Sequence, residues 1–151
     1  MQTLAVEDLA TLRETAREAR RLIVKSVYRA GAGHLGGPLS AADVLTALYF
    51  KILRIDPARP DWADRDRFIL SKGHSAIGLY SVLALRGYFP VAELDTFDEI
   101  NSRLQGHPDM TKCPGVDMAS GSPLRSVMAP RWAAILTTRI ERLSPCLARK
   151  P

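Results

Sequence analysis

Apolar side chains recur every three or four positions over residues 7–30, with Arg and Glu between them. This spacing places the apolar side chains on one face and predicts an amphipathic helix. The apolar face consists of Leu9, Leu12, Ala16, Ala19, Ile23, Val27 and Ala30. Four glycines follow within 31–37, so a loop is expected after this helix.

Two more helices are expected further along the chain. Ser40 with Asp43 three residues later is similar to a capping box, which predicts a second helix from Ser40 to about Leu53. A third helix is predicted from His74 to about Leu85. It is apolar on most sides, so it is expected to be buried.

The connections between these helices predict the fold class. Residues 56–66 are polar and contain proline, and the apolar run 68–70 is predicted to be a strand that leads into a loop. Pro90 is expected to start a short helix that reaches Phe97, and residues 101–122 are rich in loop-forming residues. Helices around a short strand predict an α/β domain.

The overall composition adds limits to this picture. The chain has 151 residues, of which 46% are hydrophobic and 25% charged, as in an ordinary soluble domain. No apolar run approaches the roughly 18 residues that span a bilayer, and the first residues do not resemble a secretory signal. Cys113 and Cys146 form no disulfide framework or metal-binding spacing. A cytoplasmic protein with free thiols and no membrane partner is expected.

The charge is distributed unevenly along the chain. Residues 123–151 hold six of the 21 Lys and Arg and one of the 16 Asp and Glu, so this basic tail carries the whole net charge of +5. Nucleic acid binding through the tail is one hypothesis, since Arg favours phosphate backbones. The tail contains no nucleic-acid motif, and charge runs of this kind are typical of solvated surface. Two regions are therefore expected, residues 1–122 and the tail.

All three histidines directly follow a glycine, at His34, His74 and His107. Glycine lets the backbone turn tightly and approach a ligand, and histidine supplies a donor, an acceptor or a charge near neutral pH. The three Gly-His corners predict three loops that converge on one polar, anionic ligand. The alternative for each single corner is a structural turn with a satisfied histidine.

The second corner has the features of a phosphate-binding loop. A loop that leaves a strand and enters a helix presents free backbone N–H groups and the positive end of the helix dipole. Lys72 and His74 would strengthen the attraction for phosphate. The alternative is a surface loop with a solvated lysine.

A dinucleotide site is a further alternative, because Gly31, Gly33 and Gly36 match G-x-G-x-x-G and Asp56 lies twenty residues later. Such a loop needs a strand before it and a helix start after it. Here a helix is predicted before the motif, and Pro38 interrupts the expected helix start.

The three corners with their flanking residues resemble the histidine loops of transketolases. The Ser-Lys-Gly-His variant is most similar to the separately encoded N-terminal subunit of split transketolases. The resemblance covers about residues 5–122, and its matching segments are 32–40, 70–74, 104–108 and 114–122.

This resemblance implies part of a thiamine-diphosphate-binding fold, a parallel sheet flanked by helices, truncated and helix-rich in this chain. It implies thiamine diphosphate held through Mg²⁺, and transfer of a two-carbon ketol unit between sugar phosphates. It also implies two partners, a second copy of the chain and a C-terminal transketolase subunit.

The resemblance also implies roles for single residues. His34 would lie by the reacting hydroxyls of the donor sugar, and His107 would orient or protonate the substrate. His74 would contact the cofactor diphosphate. Gly121 and Ser122 would lie where the backbone approaches the cofactor.

The resemblance breaks off after Ser122, where Pro123 and Leu124 replace a Leu-Gly-Gln-Gly type of helix start. No glycine follows Gly121, so the Gly-Asp-Gly motif that holds Mg²⁺ is absent and no metal ligand is assigned. A frameshift near codon 122 would explain both this break and the basic tail. The chain by itself is expected to be inactive and only partly folded, since a sheet with helices on both faces needs its full layers.

Overall fold

The structure is a computed structural model that describes residues 6–70 and 72–117. Three α-helices form its frame: α1 (Val6–Ala30), α2 (Gly36–Ala47) and α3 (Ala76–Arg86). A π-helical turn, Leu48–Ile52, continues α2. Two 3₁₀ segments, Gly73–Ser75 and Val91–Thr96, lie before and after α3. None of the helices in these ranges is long and apolar enough to cross a membrane.

Helix α1 confirms the predicted amphipathic helix. Ala16, Ala19 and Ile23 from the apolar face are buried, and Arg and Glu cover the exposed side. The first turn carries Glu7 and Asp8, which favourably oppose the positive end of the helix dipole.

Helix α2 begins earlier than predicted, and Ser40 does not cap it. The helix starts after Leu35 without any side-chain cap, and the Ser40 hydroxyl lies inside the helix and donates to the Gly37 carbonyl at 2.8 Å. Pro38 is tolerated in the first turn because the N–H groups there have no partner within the helix. The capping-box pattern was therefore wrong about this helix start.

Helix α3 is the centre of the core, as its apolar sequence predicts. Every residue from Ala76 to Ala84 is buried, and Gly87 follows the last helical residue as a left-handed cap. It lies very close to the first turn of α2: a Cβ on Gly78 would be only 3.2 Å from Pro38 Cα. This close approach brings the start of α2 next to the start of α3.

The predicted strand at 68–70 is wrong, because this run has no regular secondary structure. The Phe68 N–H donates to the Asp117 carboxylate at 2.8 Å, so a side chain occupies a donor that a strand would use in its ladder. The ranges 6–70 and 72–117 contain no strand, and the predicted sheet is not confirmed there. The observed part of the fold is helical. The short helix expected after Pro90 is confirmed as the 3₁₀ segment that follows it.

Candidate functional site

The three Gly-His corners meet at one place in the structure. The ring centroids of His34 and His74 are 4.6 Å apart, and those of His74 and His107 are 5.5 Å apart. All three side chains are exposed, and they line a cavity of about 270 Å³. The other residues that line it are Gly33, Ile77, Phe97, Asp98 and Gly106. The predicted convergence of the three loops is therefore confirmed by the geometry.

The first corner is shaped by the backbone at Gly33. Its φ is +122°, a conformation that L side chains rarely adopt. A Cβ at this position would lie 3.2 Å from both Val27 Cγ2 and Phe97 Cε1. Gly33 therefore lets the chain leave α1 and pass close to the core, which directs His34 into the cavity.

The second corner is built where the starts of α2 and α3 meet. His74 lies in the 3₁₀ turn that precedes α3. A Cβ on Gly37 would be 2.7 Å from Ser75 Oγ and 3.3 Å from Lys72 Nζ, so a larger residue would have to displace these side chains. Gly37 therefore allows the His74 turn to lie close against the first turn of α2.

The third corner is held by hydrogen bonds from distant side chains. Asp98 Oδ1 accepts the Gly106 N–H at 3.1 Å, and the Tyr80 hydroxyl donates to the Gln105 carbonyl at 3.0 Å. Pro108, directly after His107, is fully buried. The His107 ring is thus presented to the cavity by a loop fastened on both sides.

The region between the first two corners has the chemistry of an anion site. The first turn of α2 has no side-chain cap, and Lys72 Nζ lies beside it. Ser75 Oγ is buried and has no hydrogen-bond partner. Helix N-terminal N–H groups, an ammonium and an unused hydroxyl together favour an anion with several oxygens. These residues fit the diphosphate of the implied cofactor.

The described residues do not fit the Mg²⁺ that the resemblance implies. Residues 6–70 and 72–117 contain no group of three or more His, Cys, Asp or Glu that could hold a metal ion. The histidine cavity includes one carboxylate, that of Asp98. Since Mg²⁺ prefers oxygen ligands, three imidazoles and one carboxylate do not make a magnesium site.

A buried ion pair anchors the segment that leads toward the remaining predicted cofactor contacts. The Asp117 side chain is 4% exposed and accepts hydrogen bonds from the Arg65 guanidinium and the Phe68 N–H. Gly121 and Ser122, the two predicted contacts, lie outside the described residues, so their placement stays a prediction.

Cys113 is not part of the candidate chemistry. Its side chain is free, buried in the core and 1% exposed. Burial raises the pKa of the Cys113 thiol to about 12, so the thiol stays protonated near neutral pH. The expected free thiol is confirmed at this position, and it has the character of a small core side chain.

Two residues that the sequence did not single out contribute to the site, namely Asp98 and Tyr80. Neither lies in a Gly-His motif, and each is separated from His107 along the chain. No local pattern marks them, because their role depends on contacts made only in the folded chain.

The dinucleotide alternative gains no support from the structure. A helix does start at Gly36, so the expectation that Pro38 interrupts it is wrong, but α1 rather than a strand precedes Gly31. A dinucleotide loop depends on a strand at that place. Nucleic acid binding through residues 123–151 falls outside the described residues.

Comparisons with known proteins give one consistent family. Residues 12–141 match the family described as transketolase, thiamine diphosphate binding domain. This match runs past residue 122, and the predicted division of the chain at that residue stays a prediction.

Two similar relatives are subunits of transketolases. The 6-deoxy-6-sulfo-D-fructose transketolase subunit SqwG of Clostridium sp. (strain MSTE9) is 45% identical over 77% of this chain. A subunit of the apulose-4-phosphate transketolase of Phocaeicola vulgatus is 43% identical over 74%.

A solved structure with a similar fold is the Pichia stipitis transketolase in complex with sedoheptulose-7-phosphate. It superimposes with a TM-score of 0.70 at 39% identity over 73% of this chain. The chain spans 42% and 40% of the two relatives and 16% of the Pichia protein.

Proposed function

This chain belongs to the transketolase family, and we propose that it forms the histidine-lined part of a site for thiamine diphosphate and sugar phosphates. The reaction is transfer of a two-carbon ketol unit between sugar phosphates. The observation that carries this proposal is the meeting of His34, His74 and His107 in one cavity beside Lys72 and the uncapped start of α2.

The cofactor end of the site is formed by the second corner. Thiamine diphosphate, when bound, supplies the chemistry that carries the two-carbon unit. His74 and Lys72 hold its diphosphate by hydrogen bonds and charge, together with the N–H groups of the first turn of α2. The proposal keeps Gly121 and Ser122 as further contacts of the cofactor, as the family resemblance implies.

The substrate end of the site is formed by the other two histidines. His34 binds the reacting hydroxyls of the donor sugar, and His107 orients the substrate or moves a proton to it. Exposed imidazoles suit this task because each can donate or accept without first being freed from the core. His34 and His107 are thus the proposed catalytic residues.

The proposal includes sugar phosphates and further polypeptide by analogy with the relatives. Two of these relatives are themselves transketolase subunits, and the Pichia structure contains a sugar phosphate. We propose that this chain also needs further polypeptide for turnover, from a second copy and from a C-terminal subunit. No Gly-Asp-Gly motif follows Gly121 in the sequence.

The decisive experiment is calorimetric titration of the full chain with thiamine diphosphate in the presence of Mg²⁺. We expect saturable binding that weakens by about tenfold in Lys72→Met, because one charge-assisted contact to phosphate is lost. Lys112→Met is the matched control, since the Lys112 ammonium lies 4.0 Å from the Asp109 carboxylate whereas that of Lys72 lies beside Gly37 in the first turn of α2, and it should bind as the unmodified chain does.

Absence of binding in the unmodified chain would contradict the cofactor proposal. If the affinity for thiamine diphosphate falls equally in both variants, Lys72 has no specific role in holding the diphosphate. A ketose phosphate donor with an aldose phosphate acceptor should give no turnover with this chain alone. Measurable turnover would contradict the need for further polypeptide.

A further inference from the structure

Asp98 occupies an unusual position at the edge of the histidine cavity. It follows the buried Phe97 and lines the same cavity as His107. Its φ is +61°, in the left-handed region that is uncommon for residues other than glycine. The structure assigns to Asp98 the role of a positioning residue, which sets the direction of His107 by binding the peptide in front of it.

The importance of this role rests on the proposed function of His107, but the hydrogen bonds that define the role do not depend on that function. Asp98 Oδ1 accepts the Gly106 N–H at 3.1 Å, and the Asp98 N–H donates to the Leu104 carbonyl at 2.9 Å. One residue therefore binds the chain two and four positions before Pro108. The carboxylate therefore holds the peptide that enters Gly106, one residue before His107.

The direction of the His107 ring depends on its backbone, because the ring itself is exposed. On its C-terminal side the chain is fixed by Pro108, which is fully buried. On its N-terminal side Gly106 has no side chain of its own to hold it. The bond from Asp98 supplies the missing restraint at this glycine.

Close packing at Gly106 supports the same conclusion. A Cβ on Gly106 would lie 3.3 Å from Asp98 Oδ1, which is tighter than ordinary van der Waals contact. The glycine thus allows the carboxylate to come within hydrogen-bonding distance of the amide. The carboxylate and the glycine form one unit, although they are eight positions apart in the sequence.

Because the backbone of Asp98 is left-handed, substitutions at this position differ in the strain they cause as well as in the hydrogen bond they keep. Glycine adopts this conformation without strain but has no acceptor for the Gly106 N–H. Asparagine tolerates it and keeps an oxygen acceptor while losing the charge. Asp98→Gly therefore removes the hydrogen bond, and Asp98→Asn preserves it.

Two measurements on the full chain without cofactor test the proposal: amide hydrogen exchange at Gly106, and the ring C–H signals of the three histidines in NMR spectra. In Asp98→Gly we expect exchange at Gly106 to rise by about tenfold, the loss expected for one hydrogen bond. The His107 ring signal should shift, and the His34 signal should stay in place. Asp98→Asn should restore both quantities to nearly those of the unmodified chain.

Glu99→Gly is the control, because it introduces the same flexibility one residue away and leaves the Gly106 acceptor intact. It should leave exchange at Gly106 unchanged. The proposal is overturned if Asp98→Gly changes neither quantity, if Asp98→Asn behaves like Asp98→Gly, or if Glu99→Gly has the same effect. None of these measurements involves thiamine diphosphate. A chain that binds no cofactor would contradict the proposed function, but it would not by itself contradict the positioning role of Asp98.

Discussion

The His34 and His107 corners face the same cavity but are held in different ways. The His34 corner depends on the backbone: Gly33 takes a φ of +122° and packs within 3.2 Å of Val27 and Phe97. The His107 corner depends on side chains, with Asp98 and Tyr80 hydrogen-bonded to the loop before it. One corner is thus fixed by the absence of a side chain, and the other by the presence of two.

This difference shows what each kind of corner can tolerate. A glycine at positive φ cannot be replaced without strain, so its loss affects the fold as well as the site. A hydrogen bond to an exposed loop is worth less, and its loss mainly releases the loop. Changes at the His34 corner should therefore alter the free energy of unfolding, and changes at the His107 corner should mainly alter the local order of its loop.

The largest effect is expected from Gly33→Ala. The substitution should lower the free energy of unfolding by about 2 kcal/mol, since alanine is strained at this φ and its methyl would crowd Val27 and Phe97. Urea denaturation followed by circular dichroism measures the change. Gly36→Ala is the matched control, because a Cβ there has no atom within 4 Å. Equal stability of the two variants would show that the backbone does not determine the His34 corner.

A smaller effect is expected from Tyr80→Phe at the His107 corner. The substitution removes the hydrogen bond to the Gln105 carbonyl and should cost about 1 kcal/mol of unfolding free energy. The His107 ring signal in NMR spectra should broaden or move, while the His34 signal should not. Tyr28→Phe serves as the control, because Tyr28 is 88% exposed. If the His34 signal responds as strongly as that of His107, the two corners are not held independently.

The smallest expected effect is on the pH dependence of stability, and it distinguishes the carboxylates of Asp95 and Asp109. Asp95 binds Lys25 at 2.9 Å and Arg29 at 3.0 Å, next to the end of α1. The hydrogen bond from Lys25 is the main reason that the pKa of Asp95 lies below its ordinary value of 3.8. The contribution of the Asp95 carboxylate to the free energy of unfolding is therefore fully present at pH values above its ordinary pKa. This contribution is lost as the pH falls through the lowered pKa. Asp95→Asn should flatten the loss of stability on acidification in urea denaturation series.

The pH dependence of stability can be tested in the same way at Asp109, which lies two residues after His107. Hydrogen bonds from Thr111 are the main reason that the pKa of Asp109 is lowered. Asp109→Asn should also flatten the acid limb, but added salt should change the Asp95→Asn difference more. Asp95 has two close ion pairs, which salt screens, whereas Asp109 has one distant pair with Lys112 at 4.0 Å and is bonded mainly to the uncharged hydroxyl and N–H of Thr111. An equal response to salt at both positions would remove this distinction between the corners.

Much of the helical frame could be predicted from the sequence, for local reasons. The apolar spacing of α1 and the apolar content of α3 specify which faces are buried, and both are observed. The start of α2 was missed, since the Ser40 hydroxyl bonds to the Gly37 carbonyl within the helix instead of capping it. The prediction of a strand at 68–70 was also wrong, because a strand requires a partner that the sequence of one segment does not contain.

The sequence by itself determined which residues are proposed to carry the chemistry of this protein. Each histidine stands next to a glycine that allows a turn, and the three flanking patterns indicate one family. Only the tertiary structure decided how these corners are held. The contact of Gly37 with Ser75, the bond from Asp98 to Gly106 and the bond from Tyr80 to Gln105 join distant segments. Such contacts depend on how the folded chain brings together segments that no local pattern relates.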